Sequence, residues 1–79
     1  MENYGVRLEA ALAHQIKVEL VERGMDQKDL AEKVGIERAT MNRYMTGKRS
    51  IPMPTYFKIA AALSLSPQEL MQRAEARIS

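Results

Sequence analysis

A helical repeat of apolar residues is the feature that most restricts how this 79-residue sequence can fold. An apolar side chain recurs at every fourth position near the start of the chain, as Leu8, Leu12, Ile16 and Leu20. Because this spacing brings the side chains to one face of an α-helix, we expect one long amphipathic helix there. Asn3 is a suitable N-cap for this helix, and Gly24 can end it in the left-handed backbone conformation.

Four further helical segments follow, each bounded by residues that start or stop helices. Asp26 is an N-cap for the second helix, and Gly35 ends it. Ser66 and Glu69 have the spacing of a capping box that starts the fifth helix. The predicted spans are Gln27–Val34, Arg38–Thr46, a fourth helix with Pro54 in its first turn after a loop over residues 48–53, and a fifth helix to about Arg77. No segment alternates apolar and polar residues as a strand does, so the predicted fold class is all-α.

Composition excludes several kinds of site. The sequence has no cysteine and a single histidine, His14, so it can form neither a disulfide framework nor a zinc site of Cys and His ligands. The longest apolar runs, such as Ile59–Leu63, are far shorter than the roughly 20 residues of a membrane-spanning helix. The N-terminus lacks the basic stretch of a signal peptide. We therefore expect a cytoplasmic protein that needs no metal and no cofactor.

Positive charge is concentrated in the middle of the chain. The formal net charge is only +2, but residues 38–68 carry no acidic side chain. The basic side chains in this range are Arg38, Arg43, Lys48, Arg49 and Lys58. Such a patch fits a nucleic-acid surface, and it fits a solvated helix face equally well. Charge alone leaves both interpretations open.

The segment from Gln27 to Lys48 predicts two short helices joined by a brief turn that contains Gly35. This is the arrangement of a helix-turn-helix motif. The small side chain of Ala31 lets the two helices cross closely, and Gly35 lets the backbone reverse without a clash. The apolar residues predicted to pack beneath the turn are Val34, Ile36, Met41 and Tyr44.

A set of residues keeps one register across the predicted helices: Gln27, Leu30, Ala31, Val34, Gly35, Ile36, Gly47, Lys48, Ile59, Ala60, Leu63, Ser66 and Leu70. In this register, over roughly residues 12–72, the sequence resembles the Cro and lambda-repressor-like helix-turn-helix family, also called the XRE family. The resemblance implies a five-helix DNA-binding domain in which helices 2 and 3 form the helix-turn-helix. It also implies a single domain over residues 1–79, in which residues 1–11 lengthen helix 1 at its N-terminal end.

The resemblance further implies which residues meet DNA. Family members place the third helix in the major groove, and the matching base-facing positions here are Arg38, Ala39, Thr40, Asn42 and Arg43. Arg43 is the strongest candidate because its guanidinium can donate two hydrogen bonds to guanine, whereas Asn42 can pair with adenine or miss the bases. The positions that match DNA-backbone contacts are Gln27, Thr46, Lys48 and Arg49. The alternatives are solvated side chains for the two arginines and plain helix capping for Gln27.

Three features depart from the family pattern. Glu37 precedes the third helix, where Ser or Thr is common, and its carboxylate brings negative charge near phosphates or accepts from a cytosine amino group. Leu20 and Met45 occupy positions where some members pair an Arg with a Glu, so we expect an apolar contact instead. Residues 1–11 precede the usual start of the first helix. They either cover the core or contact a partner or DNA.

These residues together predict a sequence-specific DNA-binding transcription regulator, a repressor of Cro or immunity-repressor type that occludes promoter DNA. It acts in the host cytoplasm if a phage encodes it. A short reading helix covers only half a site, so we expect a weak or DNA-assisted homodimer on a pseudo-palindromic operator. The family often pairs through the ends of helices 4 and 5, which implies a dimer interface at Leu65, Met71, Ala74 and Ile78.

Other functions stay open at this point. An antitoxin with the same motif would bind a toxin as well as DNA, and a restriction-modification controller is a related regulator. A protein-interaction module would keep the fold without reading DNA, but it should carry acidic or apolar residues where Arg38 and Arg43 stand. An enzyme has the least support because no nucleophile and base stand at a catalytic spacing.

Overall fold

A computed structural model, which describes residues 3–78, contains five α-helices and no strand in that range. They are α1 (Tyr4–Glu22), α2 (Gln27–Val34), α3 (Arg38–Met45), α4 (Met53–Ala62) and α5 (Pro67–Glu75). The predicted all-α fold class is confirmed, as are the order of the helices and the N-terminal lengthening of α1.

Local capping interactions place most helix ends where the sequence predicts them. The Asn3 side chain accepts a hydrogen bond from the backbone N–H of Val6 at 2.8 Å, which caps α1. Asp26 and Ser66 each take part in a complete capping box at the start of α2 and α5. Gly35 ends α2 with a φ of 84°, a conformation that costs a residue with a Cβ atom about 1–2 kcal/mol. These ends are therefore set by neighbours in sequence.

Three helix ends differ from the predicted ones by one or two residues. Thr46 is the C-cap of α3 and not its last helical residue. Pro52 is the N-cap of α4, so this helix begins at Met53, the last residue of the predicted loop, and Pro54 lies in its first turn as predicted. The fifth helix ends before Arg77, because the Arg77 backbone N–H bonds to the Ala74 carbonyl three residues back, at 3.1 Å. That bond tightens the last turn.

The hydrophobic core orients the helix-turn-helix. Helix α1 packs on α5 and α3, α2 packs on α3 and α4, and α4 packs on α5. The large side chains with almost no solvent exposure include Ile16, Leu30, Met41, Ile59, Leu63 and Leu70. Each contributes about 1.5–3 kcal/mol relative to exposure in water. The predicted packing beneath the turn is confirmed, since Val34, Met41 and Tyr44 are buried and Ile36 packs against them. Leu20 and Met45 are also buried in this core.

A charged group in the core, Glu19 of α1, was missed by the sequence analysis. Its side chain is 1% exposed. One carboxylate oxygen accepts from Nη1 of Arg23 at 2.6 Å, and Nη1 of Arg73 on α5 donates to both oxygens at 2.8 and 2.9 Å. The Gln15 amide donates to the same carboxylate at 2.6 Å. Glu19 therefore ties α1 to α5 by charged hydrogen bonds.

The electrostatics of Glu19 follow from two opposing effects. Burial raises the pKa of its carboxyl group, but hydrogen bonds from Arg73, Arg23 and Gln15 outweigh burial and lower the pKa overall. The carboxylate is therefore ionised at neutral pH. A signal for this network exists in the sequence, because Glu19 lies three residues after Ile16 on the inward face of α1.

The N-terminal part of α1 lies against the end of α5. The Tyr4 hydroxyl donates to the Glu75 carboxylate at 2.9 Å, and the Arg7 guanidinium donates to the Ile78 carbonyl at 3.3 Å. Ala11 is buried in the core. Leu8 packs against the core, but the other residues between Asn3 and Ala10 are exposed, so the covering of the core by residues 1–11 stays a prediction, and Met1 and Glu2 lie outside the described residues.

Candidate nucleic-acid interface

Helix α3 presents its predicted base-facing residues to solvent. Three of its eight residues, Met41, Tyr44 and Met45, point into the core. The 3.6-residue helical period then turns the remaining positions outward. Arg38, Ala39, Asn42 and Arg43 are exposed, and Thr40 is half-buried. All five predicted positions therefore belong to the outer part of one short helix.

A hydrogen bond links this face of α3 to the start of α2. The Gln27 amide nitrogen donates to the Asn42 side-chain oxygen at 3.3 Å. Helix capping, the other interpretation of Gln27, is the role of its neighbour Asp26, whose side chain accepts from the Asp29 backbone N–H at 2.8 Å. Gln27 is thus available as a polar contact beside α3. Glu37, at the N-cap of α3, is exposed and makes no capping hydrogen bond.

The loop after α3 folds back onto that helix. The backbone N–H groups of Lys48 and Arg49 both donate to the Arg43 carbonyl, at 2.9 and 3.3 Å. This reversal uses Gly47, whose φ is 76°. The Thr46 hydroxyl donates to the Asn42 carbonyl at 2.8 Å, so its proton already forms a hydrogen bond within the chain. The loop therefore holds Lys48 and Arg49 next to the C-terminal end of α3.

The basic side chains of this region have no carboxylate partner among the described residues. Between residues 3 and 78, ion pairs join only Glu19 to Arg23 and Arg73. Arg38, Arg43, Lys48 and Arg49 are all exposed. These cations lie on one surface, around a helix that is narrow enough to enter the major groove of DNA. Such a surface fits the phosphates and base edges of double-stranded DNA.

Comparison with known families identifies the kind of domain that carries this surface. Residues 15–75 match the family model described as the Cro/C1-type HTH DNA-binding domain. This chain is a Cro/C1-type DNA-binding domain. The match contains α2, α3 and the loop between α3 and α4, and it supports binding of double-stranded DNA by the domain.

Relatives of this Cro/C1-type domain include the protein named Antitoxin HipB in two strains of Escherichia coli. The chain is 34% identical to HipB of strain K12 over 55 residues, which are 70% of this chain and 62% of that protein. The match to HipB of strain O6:H1 has the same identity and covers 58% of that protein. The chain therefore spans about three-fifths of the length of these relatives.

Two solved structures share the fold of this Cro/C1-type domain. The clp gene regulator ClgR from C. glutamicum superposes with a TM-score of 0.82 at 17% identity, over 91% of this chain and 94% of that chain. A hypothetical transcription factor, NHTF from Neisseria, superposes with a TM-score of 0.78 at 25% identity, over 92% of this chain and 86% of that chain. These likenesses confirm the lambda-repressor-like arrangement of the helices.

One predicted dimer residue of this Cro/C1-type domain is wrong. Ala74 is 0% exposed, because α5 turns it into the core together with Leu70, so it cannot contact a second chain. Leu65, Met71 and Ile78 are half-buried against the core, and their contact with a partner stays a prediction. Several large apolar side chains of residues 3–78 are exposed and were not predicted as site residues: Tyr4, Val6, Val21, Met53 and Phe57.

Two other properties of the Cro/C1-type domain concern metals and membranes. Within residues 3–78, no group of three His, Cys, Asp or Glu side chains is arranged to hold a metal ion. Across the same part of the chain, no helix has the length and apolar character that crossing a bilayer requires.

Proposed function

We propose that this Cro/C1-type domain is a transcription repressor that binds a pseudo-palindromic operator as a homodimer and occludes promoter DNA. One observation carries the proposal: Arg38 and Arg43 stand exposed, without ion pairs among residues 3–78, on the outer face of α3. In a Cro/C1-type domain this is the helix expected in the major groove. In this proposal the protein is not an enzyme, residues 1–79 form one domain, and it acts in the cytoplasm.

The outer face of α3 supplies sequence discrimination in this mechanism. Arg43 donates two hydrogen bonds to the O6 and N7 atoms of a guanine, and Arg38 reads a second guanine or holds a phosphate. The methyl groups of Ala39 and Thr40 pack on a thymine methyl group. Asn42 has its side-chain oxygen bonded to Gln27. Its amide nitrogen is left to donate to an adenine or a phosphate.

The residues around α3 supply affinity that does not depend on sequence. Gln27, Lys48 and Arg49 bind phosphates, and cations that neutralise phosphates release counterions, so binding weakens as salt rises. Thr46 joins them only if its hydroxyl gives up the bond to the Asn42 carbonyl. These contacts fix the register of α3 in the groove without choosing a sequence.

A homodimer is proposed because α3 is too short to read a whole operator. Its eight residues extend about 12 Å, which covers roughly one half-site in the major groove. Two copies related by a two-fold axis place two such helices one turn of DNA apart. Dimerisation doubles the number of bases read.

Selection of bound sequences from a random DNA pool at near-physiological salt tests this function. We expect enrichment of an inverted repeat whose half-site centres are about 10 bp apart. A protein with both Arg38→Ala and Arg43→Ala, carried through the same selection, should enrich no motif while still binding DNA at low salt. Salt-sensitive binding of the wild type to every sequence, without enrichment, would contradict the proposal.

An antitoxin is the second candidate, supported by the 34% identity with HipB, which is named an antitoxin. In that function the chain would bind a toxin protein as well as its operator. The measurement is the growth of cells that express the gene adjacent to this one, with and without the chain. If expression of the adjacent gene arrests growth and the chain restores it, the antitoxin function is favoured. If the cells grow normally with and without the chain, the repressor function is favoured.

A further inference from the structure

The guanidinium of Arg49 lies over the ring of Tyr44. The guanidinium carbon is 5.9 Å from the ring centroid, within the range of a cation–π interaction. Tyr44 belongs to α3 and is 4% exposed, so the core fixes the position of its ring. Arg49 belongs to the exposed loop after α3. A buried aromatic ring thus lies within cation–π distance of the charged group of an exposed side chain.

No carboxylate competes with the ring for this guanidinium in the described part of the chain. Glu9 of α1 lines the same surface cleft as Tyr44 and Arg49. No ion pair joins Glu9 to Arg49, since the ion pairs of residues 3–78 all involve Glu19. The Arg49 backbone is also held, through its N–H bond to the Arg43 carbonyl at 3.3 Å. The backbone N–H and the guanidinium of Arg49 therefore both contact residues of α3.

We propose that Tyr44 is a positioning residue for DNA-backbone binding, because its ring holds Arg49 ready to contact a phosphate. A cation–π contact uses no hydrogen bond of the guanidinium, so its N–H donors stay available for a phosphate oxygen. Restraint before binding reduces the entropy lost when the side chain is immobilised on DNA. This inference rests on the phosphate contact of Arg49 in the proposed function.

A double-mutant cycle on a mixed-sequence duplex tests the proposal, since phosphate contacts need no operator. We expect Tyr44→Leu to weaken binding about fivefold, and Tyr44→Phe, which keeps the ring, to bind like the wild type. In the Arg49→Ala background, Tyr44→Leu should have no further effect on affinity. Arg49→Ala should lower the salt slope by about 1, whereas Tyr44→Leu keeps the charge and should keep the slope.

Arg49→Lys is a second variant that leaves the core untouched. It keeps the charge but replaces the planar, weakly hydrated guanidinium by a strongly hydrated ammonium group, which contacts an aromatic ring less favourably, so it should also weaken binding. Thermal unfolding of every variant, monitored by circular dichroism, shows whether the variant is folded. Tyr44→Leu should lower Tm by the same amount with Arg49 present and with Arg49→Ala.

Equal loss of affinity from Tyr44→Leu with and without Arg49 would overturn the proposal. So would an Arg49→Lys variant that binds like the wild type, or a wild type that does not bind the duplex at low salt. Failure of the operator selection alone leaves this cycle intact, because the mixed-sequence duplex carries the same phosphates.

Discussion

Replacement of Arg43 by alanine is expected to erase the preference for one base pair in each half-site of the operator. The side chain is exposed on the outer face of α3 and has no ion pair among the described residues. A bidentate contact to guanine discriminates by about 1–3 kcal/mol, so the preference for that base should fall by about 5- to 150-fold. The measurement is the Kd of wild type and Arg43→Ala for the selected operator and for its single-base variants.

Lys48→Ala is the matched control, because Lys48 lies in the loop beside α3 and has the same formal charge. We expect it to weaken binding to all operator variants alike and to lower the salt slope by about 1. If Arg43→Ala and Lys48→Ala give the same profile across the panel, the assignment of base reading to Arg43 is wrong.

Most helix ends and the outward face of α3 were predictable because their signals are local. Asp26 and Ser66 each stand three residues before the carboxylate that completes their capping box, and the sequence shows that spacing directly. The exposure of Arg38 and Arg43 follows from the inward direction of Met41 and its neighbours on the same helix.

The partners of individual side chains were not predictable in the same way. Glu19 and Arg73 are 54 residues apart in the sequence, and only the packing of α1 on α5 brings them together. The bond from Gln27 to Asn42 likewise depends on how α2 crosses α3. Ala74 is an instructive error: it follows Leu70 by one helical turn, and that spacing already indicated an inward position.

Loss of the Glu19 carboxylate is the largest stability change that we expect from a single polar residue. Glu19→Gln replaces a buried anion that accepts from two arginines and one glutamine by a neutral amide. Charged hydrogen bonds are worth about 1.5–3 kcal/mol each, and solvent screening at the partly exposed arginines reduces the total. We expect a net loss of about 2–3 kcal/mol, or a Tm roughly 10–20 °C lower at pH 7.

The effect of Glu19→Gln should depend on pH in a defined direction. The pKa of Glu19 in the folded chain is lowered from its ordinary value of 4.5, so the unfolded chain binds the proton more tightly. The stabilisation by the carboxylate is therefore complete above that value and is lost as the pH falls through it toward the folded pKa. Urea unfolding of wild type and Glu19→Gln between pH 7 and pH 3 should give a difference that shrinks with acid.

Glu9→Gln is the control for this experiment, since Glu9 is an exposed glutamate on the same helix with no ion pair in the described structure. It should change the free energy of unfolding by less than about 0.5 kcal/mol at every pH. Asp26, whose pKa is lowered mainly by the hydrogen bond from the Asp29 backbone N–H, is present in all three proteins and cancels in the comparison. A difference between wild type and Glu19→Gln that is constant from pH 7 to pH 3 would show that packing alone, and not the ionised carboxylate, makes Glu19 stabilising.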